Sequence, residues 1–384
     1  MNVLPGVMPI KMKDGGFYDE HSQSQHAAIN MTLPYVEAAV GAVPLPGENE
    51  PFVIVDYGCS EGKNSVHVVN AIIDIVRRRR QDQLFNVIFN DLPHNNFNRL
   101  FENIYRGGFK QSLLAADEAG KNVLAFASGQ PFHLQVMPAR TVHFGYSSSA
   151  AHWLTELPKP AIRNHIYFSG ATESEKKKLS EIAAKDWHNF LNLRALEMKS
   201  GARLVITMVA SLTGSKRDIK IDDKHKSIYA RRTGPQETYG AQIMLDLINE
   251  IVQQLALEKK ISPQEAEAVW FPVYPRNLDE VLSPIMESEL KQKFIVEQAE
   301  LVQIACPVFE KYLQTGDSEN YAKSMTEIAR AVMETLLLNQ LEKSELAKQK
   351  IIDEIFDRMQ SRIQSQPEYY TFFPIHSVLV LARK

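Results

Sequence analysis

The chain has 384 residues, and its 43 basic and 46 acidic side chains give a formal net charge of −3. It is long enough for one large domain or two, and this charge excludes a general attraction to nucleic acid or acidic membranes. Cys59 and Cys306 cannot form a CxxC site and are typical of a reducing cytosol. The eleven histidines show no metal-ligand spacing, and no signal or membrane-spanning pattern is present. We therefore expect a soluble, cytoplasmic protein that needs no metal.

The first part of the chain predicts an arm, a helix and a buried strand. Residues 1–16 contain Pro and Gly and predict an irregular arm. Residues 18–40 predict a helix with a polar first half, followed by a Pro-rich linker. Residues 52–55 form a short apolar run rich in β-branched types, which indicates a strand buried on both faces. A turn with Gly58 and Gly62 follows, and apolar residues then recur at helical spacing from Val66.

This strand, glycine turn and helix predict a nucleotide-binding unit, because glycines let the backbone approach a ligand closely. A P-loop is excluded by Tyr57 and Asn64, and the dinucleotide fingerprint is excluded by Ser60. Gly58 to Gly62 formally match the Gly-x-Ser-x-Gly nucleophile elbow of hydrolases. Only about fifty residues precede Ser60, however, without a convincing strand. The pattern Asp-x-Gly-x-x-x-Gly fits a turn for S-adenosylmethionine better, and a serine hydrolase is kept as an alternative.

The next elements continue an α/β pattern. Residues 77–80 are four arginines at a helix end, where the helix dipole favours cations. A second strand at 84–89 leads to Asp91, which can accept hydrogen bonds from both ribose hydroxyls of an adenosine; its alternative role is to cap the following segment. A helix at 95–106 and strands at 123–126 and 141–144 follow. The small, polar loop at 145–154 ends in His152 and Trp153, at the edge where open α/β sheets bind ligands.

The second half of the chain predicts a change in architecture. A helix over 172–200, capped at Thr172 or Ser174 and closed by Gly201, leads to a strand at 203–209, and this order indicates a parallel sheet. Residues 278–334 then predict mostly helix, and a last helix at 348–362 and strand at 377–382 follow. We predict a core over 1–209, a mostly helical cap over 210–345 that closes over the sheet, and a return to the core over 346–384.

Four blocks, in chain order, resemble the SABATH methyltransferases, which include the salicylate, benzoate, jasmonate and indoleacetate carboxyl methyltransferases. Residues 17–25 echo the plant pattern Ser-Tyr-Ala-x-Asn-Ser-x-x-Gln, and residues 56–64 match Asp-Leu-Gly-Cys-Ser-Ser-Gly-x-Asn. Residues 90–98 nearly repeat Asn-Asp-Leu-Pro-x-Asn-Asp-Phe-Asn, and residues 147–154 correspond to Ser-Ser-Tyr-Ser-Leu-His-Trp-Leu. The resemblance implies a Rossmann-like α/β methyltransferase fold, mostly a parallel sheet flanked by helices, with an inserted helical cap.

The resemblance also implies site residues and a cofactor, S-adenosyl-L-methionine, with S-adenosyl-L-homocysteine as its product. Gln25 and Trp153 would bind a substrate carboxylate through the side-chain amide and the indole N–H, and His152 and Ser149 would line the same pocket. Asp91 would bind the ribose and Leu92 would pack on the adenine. The implied cofactor residues together are Tyr18, Ser22, Asp56, Gly58, Cys59, Asn64, Asp91, Leu92, Ser128, Phe132 and Ser148.

The implied reaction is direct in-line transfer of a methyl group to a small-molecule carboxylic acid, giving a methyl ester. A carboxylate is ionised at neutral pH, so no general base is required. Ser149 and Ala150 replace a Tyr and a Ser of relatives that act on small aromatic acids, so we expect a wider pocket and a bulkier acid. The alternatives are an N- or O-methyltransferase of the same family and a non-catalytic ligand-binding relative. The resemblance also implies a homodimer.

Overall fold

The computed structural model describes residues 12–13, 17, 21, 23–105, 122–156, 165–213, 219–221, 223–234, 239 and 241–384. In these residues eight strands form one sheet with the order β3-β2-β1-β4-β5-β8-β7-β6. The strands are β1 (Phe52–Tyr57), β2 (Phe85–Asn90), β3 (Val123–Ser128), β4 (Val142–Ser148), β5 (Met198–Val209), β6 (Ile219–Lys220), β7 (Phe294–Gln303) and β8 (Ile375–Arg383).

Strands β3, β2, β1, β4 and β5 pair in parallel, and β8 is antiparallel to both of its neighbours, β5 and β7. Every residue of β1 is buried, as the apolar run at 52–55 predicts. Because parallel strands end at the same edge of a sheet, the segments that follow β1, β2 and β4 meet there. The predicted α/β fold is confirmed, and this edge carries the candidate site.

The described helices are α1 (Gln23–Gly41), α2 (Lys63–Arg79), α3 (Phe97–Tyr105), α4 (Glu173–Glu197), α5 (Asp223–Tyr229), α6 (Gln242–Leu257), α7 (Pro263–Ala268), α8 (Leu278–Glu287), α9 (Pro307–Thr315), α10 (Ser318–Gln340) and α11 (Glu345–Ser365). Helices α1 and α2 pack on one face of the sheet, and α4 and α8 pack on the other. Helices α6, α10 and α11 build a third apolar cluster, which we call the helical cluster. Within the described ranges, no helix combines the length and apolar character that crossing a membrane requires.

Helix α4 begins as predicted but ends earlier. Thr172 and Glu175 form a reciprocal capping box at its start. The predicted end at Gly201 is wrong, because Met198 is already extended and pairs with Val142. The pairing of β4 with β5 then shifts register between Val142 and Phe144. Gly201 lies in this bulge with a φ of +80°, a conformation that favours glycine.

The prediction that residues 278–334 are mostly helical is wrong at residues 294–303, which form β7. This strand pairs with β8 over nearly its whole length, and tertiary pairing therefore overrides the weak local helical pattern. Strand β6 also lies within the segment predicted as a helical cap. The division into 1–209, 210–345 and 346–384 stays a prediction, with the correction that its middle segment contributes two strands to the sheet.

Candidate active site

The turn after β1 leaves no room for a side chain at either of its two glycines. Gly58 and Gly62 have φ values of +100° and +93°, which L residues rarely adopt. A Cβ added to Gly58 would lie 2.3 Å from the Cβ of Ala150. The N–H groups of Gly58 and Cys59 both donate to the carbonyl of Asn90, at 2.8 and 3.0 Å. The turn is therefore fixed against the end of β2 with its backbone facing the open edge of the sheet.

Asp91 holds the same turn from β2. Its Oδ2 accepts a hydrogen bond from the N–H of Ser60 at 2.7 Å, and its Oδ1 accepts one from the N–H of Leu92 at 2.8 Å. The Asn95 side chain donates to the Ser60 carbonyl at 2.7 Å. Burial raises the pKa of Asp91 above its ordinary value, although both backbone bonds lower it. Each carboxylate oxygen keeps a further lone pair that a ligand hydroxyl can use.

A polar cavity of about 40 Å³ lies at this turn. Five of the predicted cofactor residues line it, and Gln25 and Ser149, predicted for the acid, line it as well. Sequence reasoning missed Ile29, Ser65 and Tyr146 on its wall. The lining residues are Gln25, Ile29, Asp56, Gly58, Cys59, Ser60, Asn64, Ser65, Tyr146, Ser148 and Ser149.

The other predicted cofactor residues lie beside this cavity or outside the described residues. Asp91 and Leu92 adjoin the turn, and the carbonyl of Ser128 accepts a hydrogen bond from the Asp91 N–H at 3.1 Å. The ring of Phe132 lies 3.7 Å from the position of a Cβ on Gly58. These four residues therefore surround the turn without lining the cavity. Tyr18 and Ser22 lie outside the described residues.

Asp56 gives the polar cavity a titratable wall. Burial raises the pKa of its carboxyl to about 7, a hydrogen bond from Ser65 lowers it, and the charge of Asp91 raises it further. Two carboxyl groups in one buried site disfavour each other's ionised form. A cationic group entering this cavity would relieve that cost, so the site is suited to a ligand that carries a positive charge.

A second, apolar cavity of about 140 Å³ lies against the helical cluster. All four residues predicted for the acid, Gln25, Ser149, His152 and Trp153, line it. Among the described residues, its wall contains no Asp, Glu, Lys or Arg. The remaining lining residues are Met12, Ser24, Val209, Ala241, Met244, Leu245, Ile248, Phe271, Val273, Met325, Ile328, Ala329, Val332, Met333, Phe372, Pro374 and His376.

The loop that carries Trp153 is held by a segment more than a hundred residues downstream. Leu154 N–H donates to the carbonyl of Pro272 at 2.9 Å, and Tyr274 N–H donates to the carbonyl of His152 at 3.0 Å. Between these two hydrogen bonds, Trp153 pairs with Val273 in a short antiparallel bridge. Its indole also meets the ring of Phe271 edge-on at 5.1 Å, an arrangement that aromatic pairs favour. The indole is thereby held on the cavity wall.

Arg276 supports this loop from behind the cavity. Its guanidinium donates to the carbonyls of Ala151 and Ala183, at 3.1 and 2.6 Å. The side chain is 1% exposed, and burial lowers its pKa to about 10. The arginine therefore remains charged at neutral pH and positions the loop without lining the cavity.

His152 is a neutral group on the cavity wall. Its Nδ1 lies 3.3 Å from the backbone nitrogen of Val209, whose N–H donates to it. Burial lowers the pKa of His152 well below its ordinary value, and the charges of His376 and Arg276 act in the same direction. Because Nδ1 accepts a hydrogen bond, the proton of the neutral ring resides on Nε2. His152 can therefore donate one hydrogen bond but does not supply a positive charge.

The two cavities share Gln25 and Ser149. Gln25 lies near the start of α1, and its buried Oε1 has no hydrogen-bond partner among the residues that the structure describes. Ser149 has a φ of +53°, and its N–H donates to the carbonyl of Thr207 at 2.9 Å. The bond holds Ser149 at the end of β4, between the polar and the apolar cavity. A ligand in one cavity would therefore meet a ligand in the other at these two residues.

Sequence reasoning missed most of the apolar wall. Its helical part comes from α6 and α10, and its far side includes His376 on β8. Helical periodicity shows that a helix has an apolar face, but not which ligand or element that face meets. One signal was present: the non-helical stretch at 271–275, which supplies Phe271 and Val273 to the wall. In the described part of the chain, no group of three or more His, Cys, Asp or Glu side chains is placed to hold a metal ion.

The sequence pattern of the SAM-dependent carboxyl methyltransferases matches residues 10–384. The chain belongs to this family. A gibberellic acid methyltransferase of Arabidopsis thaliana is 23% identical over 381 residues, which cover 95% of this chain and 91% of the relative. A benzoic acid/salicylic acid carboxyl methyltransferase of Petunia hybrida is 27% identical over 337 residues, or 85% of each chain. A loganic acid methyltransferase with S-adenosylhomocysteine has a similar fold, with a TM-score of 0.74 and 23% identity over 98% of this chain and 99% of that one.

Family membership decides between the interpretations of the glycine turn. The cofactor of this family is S-adenosylmethionine, so the turn from Gly58 to Gly62 belongs to a methyltransferase and not to a hydrolase. In the structure, both the N–H and the carbonyl of Ser60 are used to hold the turn. The predictions of the family, the fold and the cofactor are confirmed.

Proposed function

We propose that this protein converts an apolar carboxylic acid into its methyl ester, with the polar cavity for the cofactor and the apolar cavity for the acid. The observation that carries this proposal is the junction of the two cavities at Gln25 and Ser149. A methyl group leaving the polar side there has only a short path to an acid on the apolar side. Holding two reacting groups in line in one closed site can supply most of the required rate enhancement.

The residues at the glycine turn suit S-adenosylmethionine. The absence of a Cβ at Gly58 lets the turn pack against Ala150, and the Asp56 carboxyl suits the α-ammonium group at the amino-acid end of the cofactor. We assign Asp91 to the ribose hydroxyls, and Leu92 and Phe132 to the adenine side. Tyr18, Ser22, Cys59, Asn64, Ser128 and Ser148 complete this proposed set. When bound, the cofactor supplies a methyl group on a positively charged sulfur.

Neutral donors on the apolar wall suit a carboxylate. We assign its two oxygens to the side-chain amide of Gln25 and the indole N–H of Trp153, with the Nε2–H of His152 nearby. None of the described residues that line the cavity is cationic, so none of them forms an ion pair with the acid. Attack by a carboxylate on a sulfonium cancels both charges, and an apolar enclosure favours such a step.

The same wall supports an acid over an amine or a phenol. A phenol is largely protonated at neutral pH and would need a base to remove its proton. The two imidazoles on the wall, His152 and His376, have lowered pKa values and are therefore weak bases. The small side chain of Ser149 leaves room for an acid bulkier than benzoate. Ala150, which was expected to widen the same pocket, packs against Gly58 instead and does not line the cavity.

We further propose that residues 210–345, apart from their two strands, act as a cap over the acid. We also expect a homodimer, as the resemblance implies, and a location in the cytoplasm, which suits two buried cysteines, Cys59 and Cys306, that form no disulfide. Light scattering on the purified protein would test the dimer. A monomer at working concentration would remove this part of the proposal without affecting the reaction.

The reaction is tested with methyl-labelled S-adenosylmethionine and a pooled panel of acids, phenols and amines. Label that enters the organic phase and is released by mild base as methanol identifies a methyl ester. Base-stable label would instead identify an N-methyl or ether product and overturn the assignment of Gln25 and Trp153. Cofactor binding without transfer to any acid would favour a non-catalytic binding protein.

A further inference from the structure

His376 forms part of the apolar wall and lies on β8, the last strand along the chain. It lies directly opposite Val209 in the antiparallel pair of β5 and β8. Directly opposite residues of such a pair have their side chains on the same face, and both of these residues line the acid cavity. The His376 side chain is 4% exposed. An ionisable side chain therefore projects from the sheet into a cavity that is otherwise mostly apolar.

Among the described residues, the buried Nδ1 of His376 has no hydrogen-bond partner. Nearly all buried polar groups in folded proteins are paired, and an exception on a cavity wall calls for an explanation. His152 is paired, since its Nδ1 accepts the Val209 N–H. Val209 thus links the two imidazoles: its N–H satisfies the Nδ1 of His152, whereas His376, opposite it on β8, keeps an Nδ1 that no described residue satisfies. Because His376 lines the cavity, a ligand there can supply the partner that its ring lacks.

The charge state of His376 limits what that ligand group can be. Burial lowers its pKa to about 4, so the ring is neutral at physiological pH. A neutral imidazole has one N–H donor and one acceptor nitrogen. It can pair with a hydroxyl or a carbonyl, but it does not compensate the charge of a second carboxylate. Most of the residues that share the cavity wall with it, such as Phe372, Pro374 and Met333, have apolar side chains.

We propose that His376 is a specificity residue that hydrogen-bonds a single hydroxyl or carbonyl group on the otherwise apolar body of the acid. This inference rests on the proposed function, because it assumes that the acid occupies this cavity. A purely hydrocarbon acid would fill the same space but leave the imidazole unpaired. Sites built to hydrogen-bond a substrate group discriminate strongly against the analogue that lacks it. The preferred substrate is therefore an oxygenated monocarboxylic acid.

The test compares matched acids on three variants. The acids are decanoic acid with its 3- and 10-hydroxy derivatives, and cinnamic acid with its 2-, 3- and 4-hydroxy derivatives. His376→Leu removes hydrogen bonding, and His376→Gln retains a donor and an acceptor. Ser377→Ala is the control, because Ser377 is the adjacent buried residue of the same strand and does not line the cavity. The readout is the ratio of kcat/KM between each hydroxy acid and its parent.

We expect the wild-type protein to favour at least one hydroxy acid over its parent by tenfold or more. His376→Leu should reduce that ratio at least tenfold by slowing the hydroxy acid, His376→Gln should restore part of it, and Ser377→Ala should leave it unchanged. A wild type without preference, or an equal loss on both acids in His376→Leu, would overturn the inference while the methyltransferase function stands. Intact S-adenosylhomocysteine binding without methylation of any acid would instead overturn the proposed function, and this inference with it.

Discussion

The polar and the apolar cavity differ in how the chain builds them. Most of the polar cavity comes from residues 56–65 and 146–149, two short stretches at the ends of neighbouring strands. The apolar cavity takes residues from segments spread between Met12 and His376. A local turn can be recognised from its own residue types, whereas a cavity between distant segments depends on how they pack. The features of the polar cavity are therefore local in the sequence. The shape of the apolar cavity, and with it the choice of substrate, depends on the whole fold.

The two cavities also differ in charge. The polar cavity has the buried carboxyl of Asp56 on its wall and Asp91 beside it, both with raised pKa values. The apolar cavity has only neutral polar groups among its described residues. A cation is thus expected on one side and the single anionic group of a monocarboxylic acid on the other. Substitutions in the polar cavity should therefore change the affinity for the cofactor, and substitutions in the apolar cavity should change the kinetics with the acid.

The largest effect is expected for Asp91→Ala. The substitution removes the proposed acceptor of the ribose hydroxyls and also the partner of the Ser60 N–H. Hydrogen bonds to a charged group contribute about 1.5–3 kcal/mol each, so we expect the Kd for S-adenosylhomocysteine to rise about 100-fold or more. Calorimetric titration measures this, and Asp82→Ala, an exposed carboxylate, is the control. An unchanged Kd would exclude Asp91 from the cofactor site.

Gln25→Ala is expected to change the kinetics with the acid more than the affinity for the cofactor. Loss of one hydrogen bond to a carboxylate should raise the KM for the acid about 10- to 100-fold. The Kd for S-adenosylhomocysteine should change by less than about threefold, because we assign the Gln25 amide to the acid and not to the cofactor. Gln23→Ala, an exposed residue of the same helix, is the matched control. Equal effects on cofactor and acid would remove the distinction between the two cavities.

The pH dependence of cofactor binding should follow Asp56. Its pKa is raised to about 7 in the free protein, and the α-ammonium group of the ligand binds the ionised form more tightly. Affinity for S-adenosylhomocysteine should therefore be constant above about pH 7 and fall by up to tenfold per pH unit below it. Asp56→Asn should bind weakly and remove most of this dependence. Affinity that rises as the pH falls would contradict the assignment of Asp56 to the cationic end.

A smaller effect is expected for Ser149→Tyr. The larger ring would narrow the apolar cavity where it meets the polar one, so activity on decanoic acid should fall several-fold relative to benzoic acid. Ser149→Ala keeps the space and should leave this ratio unchanged. A modest loss of stability is also expected, since Ser149 has a φ of +53° and bulky side chains tolerate that region poorly. An increased preference for the longer acid would show that Ser149 does not set the width.

Much of the polar site was predictable because its features are local. The backbone or the proposed ligand requires particular residue types at several of its positions: the apolar run at 52–55, Gly58, Gly62 and Asp91. Gln25, His152 and Trp153 were predicted from the resemblance, and the structure places all three on one wall. Without the resemblance, the sequence indicated only a helix with a polar first half around Gln25 and a polar loop at the ligand-binding edge for the other two.

The rest depended on tertiary packing. Residues 294–303 contain polar side chains that fit a helix as well as a strand, and their pairing with β8 decides between the two. Gly201 is typical of a helix end by its residue type, but it lies in a bulge that pairing with β4 imposes. His376 is an isolated histidine in the sequence. Only the pairing of β8 with β5 places it on the cavity wall.

The central claim is that the acid lies with its carboxylate at Gln25 and Trp153, where the two cavities meet. A structure of the complex with S-adenosylhomocysteine and an acid that the protein methylates, bound in its unmethylated form, tests this most directly. We predict hydrogen bonds from the Gln25 amide and the Trp153 indole to the carboxylate, with one carboxylate oxygen directed at the cofactor sulfur and the body of the acid against α6 and α10. A carboxylate directed away from the sulfur, or an acid bound outside the apolar cavity, would contradict the claim.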